Sequence, residues 1–182
     1  MNIVFLLITY LFNEPNLIVV GIVYFIASFS VIYSTIFLLL FLIHLQRESF
    51  SIISQLILLF FYGLISVILL IFPGGIDIGE HANWIPRYSL EFLILSYIYL
   101  TVAVIIPIFY FLIKIYSTFK DKPLKKKFIF FSLGIVFMLI TIYGLVLYNT
   151  WQDPIFRTLW SVISLIVIPS GLLIYYGIAQ NL

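Results

Sequence analysis

The densest mixture of side chains able to do acid, base or ligand chemistry falls in one short stretch. Asp77, Glu80, His81, Arg87 and Glu91 lie within 15 residues of one another, with Trp84 and Pro86 among them. Asp77, Glu80 and His81 are of the types that hold divalent cations, and Glu91 could join them from the start of the following helix. Their spacing matches no established ligand pattern. The stretch therefore reads as a solvated polar loop, with no metal and no cofactor expected, and it is the first place to look for a ligand site. Arg87 and Glu91 are four apart, which on a helix would give an ion pair of a few tenths of a kcal/mol. An amphipathic ring at Trp84 suits the level of lipid headgroups.

Other chemistry is missing by residue type. The chain has no cysteine, so disulfides, thiolate metal sites and cysteine nucleophiles are excluded. It contains no G-x-S-x-G turn, no H-E-x-x-H pair and no glycine-rich phosphate loop. His44 and His81, the two histidines, belong to opposite ends of the expected helices and could not clasp a haem between them. An enzyme built from this sequence would have to work at a membrane surface with Asp77, Glu80, His81, Arg87, Glu91, Asp153 and Arg157, on a headgroup or polar substrate.

The elements that must carry these residues are hydrophobic helices. Of the 182 residues 64% are hydrophobic and 9% charged, where a soluble domain has about a quarter charged. The windows Pro15 to Gln46, Ser49 to Ile76, Phe92 to Ile113, Phe128 to Gln152 and Thr158 to Leu182 contain no Asp, Glu, Lys or Arg. About 20 helical residues cross a hydrocarbon layer of roughly 30 Å, so each window is long enough to span. The expected fold is an all-α membrane bundle of five transmembrane helices, one domain over residues 1–182, preceded by a short apolar segment. That segment, Met1 to Phe12, is too short to cross. It reads as an interfacial or half-inserted helix, with a sixth crossing as the alternative.

Charge sets the expected orientation. Arg47, Lys114, Lys120, Lys122, Lys125, Lys126 and Lys127 fall on one side of five alternating helices, and only Arg87 and Arg157 on the other. Loops rich in Lys and Arg stay cytoplasmic, which places the amino terminus outside and the carboxyl terminus in the cytoplasm of a multi-pass protein of the cell membrane. The cluster Lys120, Lys122, Lys125, Lys126 and Lys127 is also suited to anionic lipid headgroups. One such cluster without a recognition element does not point to nucleic acid.

Within the spans, small and polar residues mark surfaces for close approach. Ser30 and Ser34 share a helix face with Ala27 beside them, Gly63 and Ser66 lie mid-span, and Gly134 and Gly144 are ten apart on nearly one face. Pro107 and Pro169 each remove a backbone donor past the middle of a span. Interrupted helices at matching depth line the sites of some transporters, while packing alone also accounts for such prolines.

The carboxyl-terminal half, from Trp84-Ile85-Pro86 through Lys120 to Lys127 and on to the Ile168-Pro169-Ser170-Gly171 stretch, resembles prokaryotic multi-helix sensor modules. It is similar to the seven-helix regions that precede some histidine kinases. It differs in having five spans, and no effector domain is expected in it; the resemblance implies an input or scaffold module acting through a partner, and it transfers no functional residue. The expected function is a non-catalytic membrane module, a sensor input or accessory subunit, that binds a lipid, a small apolar ligand or another membrane protein. A small transporter or channel subunit and an outer-face enzyme are the alternatives, and oligomeric state stays open.

Because the chain lacks cysteine, orientation is directly measurable. With single Ser117→Cys and Asn83→Cys variants in intact cells, an impermeant thiol reagent should label the second and spare the first. Labelling at position 117 from outside would invert the expected topology.

Overall fold

The computed structural model describes residues 17–47, 50–78 and 86–179. The apolar segment Met1 to Phe12, and Glu80, His81 and Trp84, lie outside the described residues. Among the described residues, five helices are long and apolar enough to cross a membrane: Ile18–Gln46, Ile52–Leu70, Leu90–Thr118, Lys122–Thr150 and Pro154–Gly177. This is an integral membrane protein with an all-α bundle.

Helix α1 (Leu17–Gln46) and helix α2 (Ile52–Leu70) form the first two spans. Helix α2 ends where sequence forbids its continuation. Gly74, beyond Pro73, adopts φ +70°, a left-handed conformation that glycine takes without steric cost, and the Gly75 N–H turns back to the Phe72 carbonyl at 3.0 Å. Strands β1 (Ile76–Asp77) and β2 (Arg87–Tyr88) then pair antiparallel, with Ile76 opposite Tyr88 and Asp77 opposite Arg87. The Ser89 hydroxyl accepts the Phe92 N–H at 3.2 Å, capping the helix that follows.

That third span is continuous but irregular. Helix α3 (Leu90–Leu100) passes through a π turn at Thr101–Ile105 into α4 (Ile106–Thr118), where Pro107 occupies the first turn. The Ile106 N–H reaches back five residues to the Thr101 carbonyl. Widening the helix just ahead of the proline relieves the clash its ring would make with the preceding turn. The fifth span shows the opposite adjustment. Helix α6 (Pro154–Ile163) tightens into a 3₁₀ turn at Ser164–Ile166 before α7 (Val167–Ala179), again just upstream of its proline, Pro169. Both prolines are therefore absorbed by one altered turn, and the helical path continues on either side.

Helix α5 (Lys122–Thr150) is the fourth span. It starts earlier than the charge pattern suggests: Lys122, Lys125, Lys126 and Lys127 are helical, not loop, because Pro123 in the first turn presets the helical φ and has no N–H to leave unsatisfied.

The core runs down the middle of the first four spans. Ile32, Ile36, Leu39 and Leu42 of α1 meet Leu100, Val104, Ile108 and Leu112 of the third span and Phe131, Ile135, Leu139 and Ile142 of α5. These positions recur every three to four residues, so each helix turns one stripe inward. Outward faces stay apolar because lipid, not water, surrounds them. Burial separates the spans: 39% of the first and fourth windows is buried, but only 6% of the fifth. The fifth span packs chiefly along α5.

Glycine makes that seam. A β-carbon on Gly134 would stand 2.7 Å from the Ser170 carbonyl oxygen and 3.0 Å from the Ile174 nitrogen, while one on Gly144 would enter the Trp160 ring and one on Gly177 would meet Phe131. The shared face of Gly134 and Gly144 thus receives the last span. At Gly134 the obstacle is backbone, which cannot swing aside. Gly134→Ala should destabilise the folded protein by about 1–3 kcal/mol in a denaturant titration in micelles. Gly21→Ala, with nothing within 4 Å of where the added β-carbon would stand, should leave the midpoint unchanged.

Candidate functional site

Hydroxyl groups tie the spans together in place of charges. The Thr35 hydroxyl of α1 donates to its own Ile32 carbonyl at 2.7 Å and lies 2.5 Å from the Tyr62 hydroxyl of α2. Tyr99 of α3 donates to the Tyr62 carbonyl at 3.0 Å and sits 3.0 Å from the Ser66 hydroxyl. Tyr97 and Tyr143 form a reciprocal clasp, each donating to the other's carbonyl, at 3.0 and 3.2 Å. Thr101, in the π turn, stands 2.6 Å from the Tyr143 hydroxyl. Thr35 and Ser66 have no exposed surface; such groups need partners because hydrocarbon supplies none.

At the end bearing β1 and β2, two neighbouring cavities lie in the bundle. The larger, about 150 Å³, is lined by Gly21, Tyr24, Phe25 and Ser28 of α1 with Leu70, Ile76, Ile78 and Pro86. The smaller, about 20 Å³, lies deeper among Ser28, Ile32, Leu70, Tyr88, Phe92 and Val146. Ser28 and Leu70 belong to both walls. The Ser28 and Tyr88 hydroxyls are 3.3 Å apart. Asn149 of α5 is 1% exposed; its amide donates to the Leu145 carbonyl at 3.2 Å, while its Oδ1 has no hydrogen-bond partner. The carboxamide lies close enough to the Tyr88 phenol to interact with it. Burial pushes the Tyr88 phenol above the ordinary tyrosine range, and Ser28 and Asn149 offset part of that rise.

The remaining cavities are apolar and open toward lipid. One of about 490 Å³ lies between α2 and α3, lined by Ile65, Leu69, Leu95, Tyr99 and Val102 among others. One of about 420 Å³ lies against α5 among Tyr97, Phe109, Val136, Tyr143, Gly144 and Trp160. A third, about 270 Å³, continues it toward the lysine end among Phe109, Ile113, Tyr116, Ile129 and Val136. Phe109 and Val136 line both of these last two, which therefore form one groove. From Leu147 to Ile129 it follows α5 for 18 residues, or about 27 Å at helical rise.

The residues singled out by sequence disperse. Asp77 and Arg87 face each other in register across the strand pair. Arg87 and Glu91 form no ion pair, because Arg87 is in an extended strand and Glu91 in the first helical turn beyond the Ser89 cap; the four-residue spacing carries no helical geometry. Among the described residues no three His, Asp or Glu side chains gather around a possible metal position. Pro107 is half-buried and Pro169 exposed, and neither is on the cavity walls described above. Ser30 and Ser34 are exposed and bond their own Ile26 and Val31 carbonyls at 2.8 Å, so their stripe faces away from the helix contacts, while neighbouring Thr35 points in. At the lysine end, Lys125 Nζ stands 5.3 Å from the Tyr116 ring centre and Lys114 Nζ 5.6 Å from that of Tyr110.

Sequence reasoning missed Tyr88, Asn149, Thr35 and the tyrosine pair. The signal available was a high tyrosine content, 13 residues, inside spans otherwise short of polar groups. Comparison with protein-family models, curated proteins and solved structures finds no match.

Tyr62→Phe removes the hydroxyl that meets Thr35 and should cost about 0.6–1.7 kcal/mol of stability in micelles, the range for interhelical hydrogen bonds. Combined with Thr35→Val, the loss should fall short of the sum of the two single variants, since both act on one bond.

Proposed function

We propose that this protein is a non-catalytic integral membrane module, a sensor input or accessory subunit, that holds an anionic phospholipid in the groove between α4 and α5. The observation that carries the reading is the alignment of an apolar trough with a basic end. The trough is lined by Phe109, Ile113, Tyr116, Ile129 and Val136, and Lys125 lies over Tyr116 at its mouth. Acyl chain and headgroup would thus find matching surfaces in one place.

Helix electrostatics support the same assignment. The first N–H groups of α5 carry partial positive charge and favour anions, and no acidic residue follows in its first turn. Lys122, Lys125, Lys126 and Lys127 add like charge there instead, and Asp121 makes no capping hydrogen bond with its side chain. A helix start that repels its own lysines is relieved by an anion from outside, and basic residues near an anionic surface contribute about 1 kcal/mol each. Lys120 lies just before this turn.

In this proposal the lysine end is cytoplasmic and the strand-pair end is outside, in keeping with the lopsided Lys and Arg distribution. The bound lipid, or a partner helix that displaces it, would set the position of α4 against α5. The π turn at Thr101–Ile105, next to the Tyr97 and Tyr143 clasp, is the element through which such a shift would reach the other spans.

Native mass spectrometry of the protein from mixed phosphatidylglycerol and phosphatidylcholine membranes should show phosphatidylglycerol retained. Each of Lys125→Ala, Lys126→Ala and Lys127→Ala should weaken retention about fivefold, the equivalent of ~1 kcal/mol. Equal retention of both lipids, unmoved by these substitutions, would end the proposal.

A further inference from the structure

The groove beside α5 is longer than one lipid leaflet is thick. It runs about 27 Å at helical rise from Ile129 to Leu147, against a hydrocarbon layer of roughly 30 Å for both leaflets together. An acyl chain whose headgroup sits at the lysine end reaches about to the bilayer middle, near Phe109 and Val136, where the two parts of the groove join. The part beyond, a cavity of about 420 Å³, is bounded by Val136 at one end and by Leu147 and Trp160 at the other. At helical rise it is about 16 Å long, or one leaflet. A second chain has to fill it, from the strand-pair end.

What stands at that end fits a phosphate. Trp160 of α6 closes the cavity by lying on Gly144, where an added β-carbon would enter its ring. One helical turn further out, Arg157 lies over Tyr148, its guanidinium carbon 4.7 Å from the ring centre. The opposite mouth carries the same kind of pair, Lys125 over Tyr116. The rings of Trp151, Phe156 and Trp160 stack in sequence, and exposed Trp151 suits the headgroup level, which tryptophan favours. Among the described residues the Arg157 Nε and Nη2 are enclosed without hydrogen-bond partners. Asp153, one turn earlier, spends its Oδ1 on capping the Phe156 N–H at 2.7 Å. It is the guanidinium charge and Nη1, not the two enclosed nitrogens, that a group outside the chain would meet, and phosphate oxygens are acceptors that arginine favours.

We propose that the strand-pair half of the groove is a second lipid site. It takes an anionic phospholipid of that leaflet, with an acyl chain against Tyr97, Ile105, Val136 and Gly144 and the phosphate on Arg157. The assignment rests on the reading of this groove as a seat for acyl chains, whereas its headgroup contact is independent of the lysines. The two lipids meet tail to tail at Phe109.

Trp160 lines this half and reports on it directly. In a variant that keeps Trp160 as its one tryptophan, with Trp84→Phe and Trp151→Phe, fluorescence is read in phosphatidylcholine nanodiscs containing phosphatidylglycerol brominated on its chains, which quenches on contact. At about 10 mol % brominated lipid, a roughly fivefold preference from one well-placed cation gives about one-third occupancy, against about one-tenth for random contact. We expect that excess quenching in the parent, its loss in monodisperse Arg157→Gln, and its retention in Arg157→Lys and in Lys125→Ala. Quenching in proportion to mole fraction would overturn the site. Excess quenching unmoved by Arg157→Gln would overturn the phosphate contact. An excess lost in Lys125→Ala would show one lipid anchored at the lysine end and overturn the second. Weak quenching even in wholly brominated lipid would mean that protein, such as a second copy of the chain, covers the groove, and would overturn the site too. Loss of retention in the lysine variants is a separate readout, so the lysine-end lipid stands or falls without regard to Arg157.

Discussion

Hydrocarbon offers no hydrogen-bond partner, and the whole molecule is organised around that deficit. Every backbone N–H and C=O within a span has to be satisfied by the span itself, which leaves the helix as the workable form for a segment exposed to lipid. The same demand reaches the side chains. With no Asp, Glu, Lys or Arg in the central turns of the five helices, hydroxyls do the joining. Thr35, Tyr62, Ser66 and Tyr99 link the first three spans, and Tyr97, Thr101 and Tyr143 link the third to the fourth. Such bonds are individually modest in membranes, typically under 2 kcal/mol, but they fix rotation of each helix about its axis in a way that apolar contact does not.

The departures from regular helix follow from that rule too. A proline removes one donor and crowds the preceding turn, and the two proline-containing spans respond in opposite ways, with a π turn before Pro107 and a 3₁₀ turn before Pro169. The π turn places Thr101 against Tyr143 and so joins a backbone irregularity to an interhelical bond. At Pro169 the altered turn lies on the peripheral span, which leans on α5 through Gly134 and Gly144 and exposes nearly all of its other faces. The core of the first four spans is thus cross-linked by hydroxyls, whereas the fifth is held by close approach at glycine.

The two ends of the bundle treat their polar groups differently. Asn149 Oδ1 and Ser96 Oγ are buried without partners toward the strand-pair end, and the start of α5 gathers lysines against its own dipole at the other. Between them the α4 and α5 groove is apolar throughout. The two ends thus differ in kind, and α5 borders both.

The order of elements was legible in the residues because it depends only on local composition: charge-free runs long enough to span, and Pro73-Gly74-Gly75 closing the second helix. The positions of Gly134 and Gly144 on one face followed from helical periodicity. What periodicity could not tell was which face meets which neighbour. In lipid, inward and outward residues are equally apolar, so the pattern that marks a buried stripe in a soluble helix is absent. That is why Ser30 and Ser34 suggested a contact surface while Thr35, one residue on, is the buried hydroxyl. It is also why Arg87 and Glu91 suggested a helical pair until the strand at Arg87 removed the geometry. Sequence by itself determined that this chain forms membrane-spanning helices and where charge concentrates, because both are properties of single segments. Tertiary structure alone decided that Ser28 and Asn149 both stand beside Tyr88, since residues 60 and 121 positions away from Ser28 come together only when the helices pack.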